Sequence, residues 1–128
     1  MSIKIDISYG ELLDKITILE IKAERIADVA KLANINHELE VLTATWDSAG
    51  IDTGKVKSQR TRLKHINETL WDIEDDIREL EAAKSFGDSF IALARSVYKT
   101  NDERAAVKKE INQILGSALT EEKSYQAY

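Results

Sequence analysis

Apolar residues alternate with polar ones at Ile3, Ile5 and Ile7, and from Ser8 onward they recur at steps of three and four. A period of two marks a strand and 3.6 a helix, so the switch predicts a short β-strand over 3–7 running into a helix. Ser8 with Glu11 has capping-box spacing, with Ile7 and Leu12 placed as the flanking hydrophobic staple. The first helix, about 9–27, carries Leu12, Ile16, Leu19, Ala23 and Ile26 on one face. The stripe of Leu32, Ile35, Leu39, Leu42 and Trp46 does not continue that phase, which places a turn near Ala27 and makes Asp28 the N-cap of a second helix over 29–49. The third, about 54–84, has the strictest pattern: Leu63, Ile66, Leu70, Ile73, Ile77 and Leu80 repeat on a heptad seam.

A fourth helix over 88–115 opens on Phe90, Leu93, Ala94 and Val97 and closes on Val107, Ile111, Ile114 and Leu115. Between them the apolar face is lost through Lys99, Thr100, Asn101, Asp102, Glu103 and Arg104. Either a helix break or a polar site lies there, and Thr100 with Glu103 has the spacing to cap a new helix. The tail, 117–128, reads as a docked turn or a frayed end. The expectation is a single all-α domain over 1–128, an antiparallel helical bundle or coiled-coil-like protein with one N-terminal β-strand. Three isoleucines make a strand too short to stand alone. It must pair with a second copy, lie across the bundle as an arm, or remain an edge.

Composition narrows the chemistry. The 128 residues contain 18 Lys plus Arg against 23 Asp plus Glu, a net charge of −5 with both signs interspersed, which disfavours nucleic-acid binding. No cysteine is present, so disulfides, thiolate nucleophiles and thiol metal sites are all excluded. No apolar run approaches the roughly 18 residues of a membrane span, and the opening residues lack a signal-peptide pattern, so a cytoplasmic protein without membrane insertion is expected, in the host cytoplasm if phage-encoded.

Charge order in the third helix is the first candidate feature. Lys55, Lys57, Arg60, Arg62 and Lys64 fill its first half, and Asp72, Glu74, Asp75, Asp76, Glu79 and Glu81 its second, against the helix dipole at both ends. An antiparallel second copy would set basic half against acidic half, with Ile3, Ile5, Leu63, Leu70, Trp71 and Ile77 as the candidate homodimer interface. The competing reading is a solvated face whose seam packs within its own chain. The polar interruption of the fourth helix is the second. Arg95, Tyr98 and Asp102 share one face, and Asn101, Arg104 and Lys108 another, supplying planar and cationic donors for a phosphate, carboxylate or sugar. Its competitor is a polar helix connection made of caps.

Carboxylates between bundled helices hold Mg²⁺ in all-α nucleotide pyrophosphohydrolases, and Glu20, Glu24 and Glu74 are the candidates beside the apolar stripes. Glu20 and Glu24 stand four apart where such enzymes favour three, and Asp72 with Asp75 or Asp76 with Glu79, which have the shorter spacing, lie largely opposite the apolar seam, so no metal site and no catalytic residue is assigned. His37 and His65 stand alone, without paired-ligand spacing or a triad.

The opening SYGELLDKITILEIK over Ser8 to Lys22, the segment from Lys31 to Asn34, the run from Leu70 to Arg78, and LARSVYKTNDERA from Leu93 with the run from Lys109 to Asn112 resemble a family of short uncharacterised helical proteins across nearly the whole chain. Members occur in bacteria and phages, and some bacterial ones lie near glycosyltransferase or surface-polysaccharide functions. The resemblance implies an accessory role in glycan assembly and carries no catalytic residues with it. The leading expectation is therefore a noncatalytic interaction module, homodimeric or with a protein partner and without a cofactor. The alternatives are a Mg²⁺-dependent pyrophosphohydrolase-like enzyme and a sugar-phosphate or nucleotide binding module.

Overall fold

The computed structural model describes residues 1–128, and all of its regular structure is helical. Helix α1 (Tyr9–Arg25) starts where the Ser8 hydroxyl accepts from the Glu11 amide at 3.1 Å. Only half of the capping box forms, because the Glu11 carboxylate turns to Lys108 instead, 2.6 Å away. α1 ends on the basic residues Lys22 and Arg25, where cations suit the negative end of the helix dipole. After a three-residue link, Asp28 caps α2 (Val29–Ser48) by accepting from the Lys31 amide at 2.9 Å. A 3-10 turn at Thr53–Val56 leads into α3 (Lys57–Ala82), and α4 (Asp88–Leu115) runs unbroken through Thr100, which is buried on its inner face. α4 stops at Gly116, whose φ of 66° puts it in the left-handed conformation that glycine adopts without a Cβ penalty.

Residues 1–7 form no strand, correcting the expectation from their alternation. A strand needs an edge to bond to, and every other ordered segment of this chain satisfies its backbone within a helix. Ile3 and Ile5 stay 92% and 74% exposed, and only Ile7 packs on the core.

α3 and α4 form an antiparallel hairpin. α1 lies on both, running antiparallel to α4, with Glu11 beside Lys108 and Asp14 beside Arg104. α2 packs back along α1 and contributes Trp46 to the core, which gathers Leu12, Leu13, Ile16, Val56, Leu63, Ile66, Val107 and Ile111. Leu63 is fully buried in this core and presents no surface to a second copy. Leu70, Trp71 and Ile77 are partly exposed along the hairpin.

Three of the five bases leading into and along the first half of α3 find acids within the chain. Arg60 pairs with Glu20 at 3.2 Å, Lys64 with Glu24 at 2.5 Å and Arg62 with Glu110 at 3.2 Å. Each is a surface pair, screened by solvent and weak on its own. Lys55 and Lys57 make no ion pair, so an antiparallel α3 dimer keeps only part of its electrostatic motive. No helix is long and apolar enough to cross a membrane.

α1 and α4 meet at Gly10. Its amide donates to Asn112 Oδ1 at 2.7 Å, and a Cβ at this position would overlap the Lys108 carbonyl oxygen and lie 3.0 Å from Asn112 Oδ1. On an exposed helix face, glycine to alanine stabilises by about 1 kcal/mol. Here Gly10→Ala is expected to have the opposite sign and to cost about 2 kcal/mol, because two backbones must separate. Urea unfolding of the variant checks this, and an unchanged or raised midpoint contradicts the close packing.

Candidate functional site

Seven of the 21 buried residues are polar or charged, and most of them lie in one layer joining α1, α3 and α4. Gly10, Asp14, Thr17 and Ile21 form a buried row along α1 at steps of four, three and four. Asp14 is 1% exposed, so its charge needs full compensation. It accepts from Arg104 Nε at 2.9 Å and, through the other oxygen, from Arg104 Nη2, a bidentate pair. Asn67 Nδ2 donates to the same carboxylate at 2.9 Å and to Thr17 Oγ1 at 3.1 Å, and the Thr17 hydroxyl donates to the Asp14 carbonyl at 2.9 Å. The hydrogen bonds to Asp14 raise the pKa of Arg104 above its ordinary value despite partial burial.

Arg104 is fixed without being used up. A guanidinium has five N–H donors, and Asp14 takes two, leaving three at a side chain that is 29% exposed. Those donors stand where three clefts meet. The largest, about 950 Å³, lies between α4 and the C-terminal segment and is walled by Tyr98, Asn101, Asp102, Lys123, Tyr125 and Tyr128. A second, about 490 Å³, is the wedge left as α1 diverges from α4, bounded by Ile18, Asn67, Trp71, Val97 and Asn101. The third, about 230 Å³, runs past Glu11, Lys108, Glu121 and Lys123.

The C-terminal segment has no regular structure, yet two groups strap it to α4. Lys108, whose side chain is 9% exposed, holds Glu121 at 2.7 Å on one side and Glu11 at 2.6 Å on the other. The Tyr128 hydroxyl donates to Asp102 at 2.5 Å, and its ring meets that of Tyr98 edge to face at 5.2 Å. Burial works to lower the pKa of Lys108, but the two carboxylates outweigh it and the net shift is upward. Glu121 is held below its ordinary 4.5 by the bond from Lys108, and Tyr128 is raised above 10.0 by its bond to Asp102.

Of the residues singled out from sequence, Tyr98, Asn101, Asp102 and Arg104 come together on the main cleft, and Lys108 lies one turn further along α4. Arg95 is exposed and borders none of these clefts. Glu20, Glu24 and Glu74 stand apart, engaged by Arg60, Lys64 and Arg78 respectively, and no three Asp, Glu or His residues converge as metal donors. The donor set therefore does not fit a Mg²⁺ centre. Asp14, Thr17 and Asn67 were not singled out. Their signal was polar residues standing at core-facing positions, one turn apart on α1 and beside Ile66 on α3.

Two outcomes are expected. Asp14→Ala leaves a partly buried guanidinium unpaired and should lower unfolding free energy by about 3 kcal/mol, read by urea titration. The docked tail should be confined to a pH window. Glu121, with a depressed pKa, contributes above 4.5 and loses its contribution as pH falls through that lowered value; Tyr128, with a raised pKa, contributes below 10.0 and loses it as pH rises further. Backbone NMR shifts of residues 119–128 should hold steady between these limits and move toward random-coil values at both ends.

No curated protein and no solved structure matches the chain. A family profile does, over residues 3–128, and the chain belongs to the family of unknown function DUF6165.

Proposed function

We propose that this protein is a noncatalytic binding module whose ligand is a small anion carrying a ring, of the phosphosugar or nucleotide kind, held against Arg104 in the cleft between α4 and the C-terminal segment. The observation that carries the reading is the state of Arg104: anchored by Asp14 on two N–H groups while three remain at the cleft. A pre-oriented guanidinium binds phosphate or carboxylate oxygens without the entropy cost of ordering a free side chain. Lys123 adds a second cation, Asn101 and Gln126 add amides, and Tyr98, Tyr125 and Tyr128 supply flat apolar faces for a sugar or base. The volume lies within the usual range for small-molecule sites, about 300–1,000 Å³.

The hydrolase reading lacks support because its carboxylates are dispersed and individually paired. The homodimer reading keeps only part of its electrostatic motive, because Arg60, Arg62 and Lys64 are paired internally. An accessory role in glycan assembly, implied by the sequence resemblance, would present a ligand of this chemistry.

Titrating the ¹⁵N-labelled protein with a hexose 1-phosphate and with a nucleoside diphosphate sugar tests the reading. Saturable shifts are expected at residues 97–105 and 123–128 for at least one of them. Arg104→Lys, which removes the planar fork, should weaken binding about tenfold or more, whereas Arg95→Ala should leave it unchanged. Absence of shifts at millimolar ligand would sink the proposal.

A further inference from the structure

The wedge beside α1 holds a polar atom that the chain leaves open. Asn67 is 5% exposed and borders this cleft. Its Nδ2 donates to both the Asp14 carboxylate and the Thr17 hydroxyl, and because an ionised carboxylate only accepts, the orientation of the amide is fixed. That leaves Oδ1 as the free end, and no hydrogen bond within the chain reaches it. Gln59 Oε1 is the one unpartnered side-chain atom sealed from solvent, so Asn67 Oδ1 is reachable from outside, where the wedge meets it. A nearly buried carbonyl oxygen of this kind calls for a donor from beyond the chain.

The groups around it say which donor. Asn67, Trp71 and Asp75 stand at steps of four along α3, and Val97, Asn101 and Arg104 at steps of four and three along α4, and both rows line the wedge. Trp71 is half-buried and brings a flat apolar face. Asp75 brings a carboxylate that no cation of the chain holds, whereas the neighbouring Glu74 is bonded to Arg78 at 3.1 Å. Acceptors on either side of an aromatic ring along one row match a saturated ring that carries hydroxyls, with its C–H face on the indole and its O–H groups donating. A second anion is not matched there, because Asp75 repels it. The α4 row belongs to both clefts: Val97, Asn101 and Arg104 border the main cleft as well, so a group held by Arg104 can send one arm into each.

We propose that the wedge is a sugar subsite and that the ligand of this protein is a nucleoside diphosphate sugar. Its diphosphate lies on Arg104, its nucleoside against the tyrosines of the main cleft, and its hexose on Trp71, with hydroxyls donating to Asn67 Oδ1 and Asp75. This deepens the Arg104 reading and rests on it. A free nucleoside diphosphate would fill the main cleft and leave the wedge empty.

Calorimetric and ¹⁵N titrations of the full chain with UDP-glucose and GDP-mannose, each beside the free diphosphate, test the assignment. UDP or GDP should shift residues 97–105 and 123–128, and the nucleotide sugar should in addition shift the Trp71 indole and the Asn67 side-chain amide. Trp71→Ala and Asp75→Ala should each weaken the nucleotide sugar about tenfold and leave the free diphosphate within about twofold, with Trp71→Phe keeping most of the affinity. Retained binding of the free diphosphate also shows that the variants are folded. If the two ligands of a pair lose equally in the variants, or the nucleotide sugar produces no shift at Trp71 and Asn67, the sugar subsite is overturned and the Arg104 reading stands. Binding of glucose 1-phosphate with none of either nucleotide sugar has the same meaning. If none of these ligands binds, both fall together.

Discussion

Asp14 brings a carboxylate into the interior of a small protein, where an unpaired charge would cost several kcal/mol. Arg104 and Asn67 answer it from two other helices, and Thr17 completes the set from α1 itself. A well-packed apolar trio would hold the helices at least as tightly, so net stability is a weak account of why such a pair is present. Directionality gives a better one. Leucine side chains slide past one another at small cost, whereas these bonds close at only one axial alignment of α1, α3 and α4. The same pair also immobilises the guanidinium at the junction of three clefts, so register and candidate site share one cause.

The clefts follow from that alignment combined with unequal helix lengths. With 17 residues α1 spans about 25 Å, and with 28 residues α4 spans about 42 Å. Gly10 and Asn112 clamp the start of α1 to α4, while Arg25 ties its end to the outer side of α3. α1 therefore crosses from one helix to the other and opens a wedge beside Ile18, leaving the far hairpin bare. At the other end the C-terminal segment turns back at Gly116 and is held by Lys108, which makes the outer wall of the main cleft. Its attachments are polar and local, unlike the apolar burial that holds the helices.

Local signals in the sequence were physically sufficient where a few adjacent residues settle the structure. Ser8 and Asp28 cap their helices because the groups they satisfy are three residues away, and Gly116 ends α4 because its conformation is intrinsic. Alternation at Ile3, Ile5 and Ile7 misled because a strand is completed by a partner that the sequence cannot display. Glu11 matched a capping box, yet Lys108, 97 positions away, offered its carboxylate a full cation in place of a neutral backbone donor. The charge order of α3 was equally ambiguous. Its bases could meet a second copy or acids of their own chain, and only the packing of α1 and α4 brings Glu20, Glu24 and Glu110 to Arg60, Lys64 and Arg62.

The polar interruption of α4 shows where the division lies. Sequence determined that residues 99–104 carry donors out of phase with the apolar stripe, because periodicity is a property of neighbours along one helix. Tertiary structure decided that the helix continues through them, that Arg104 faces a buried acid 90 positions away, and that Tyr128 comes back to Asp102. Residue type and spacing fix which bonds a segment is able to make. Which of them form depends on distances set by the packing of other helices, and no window along the chain contains those distances.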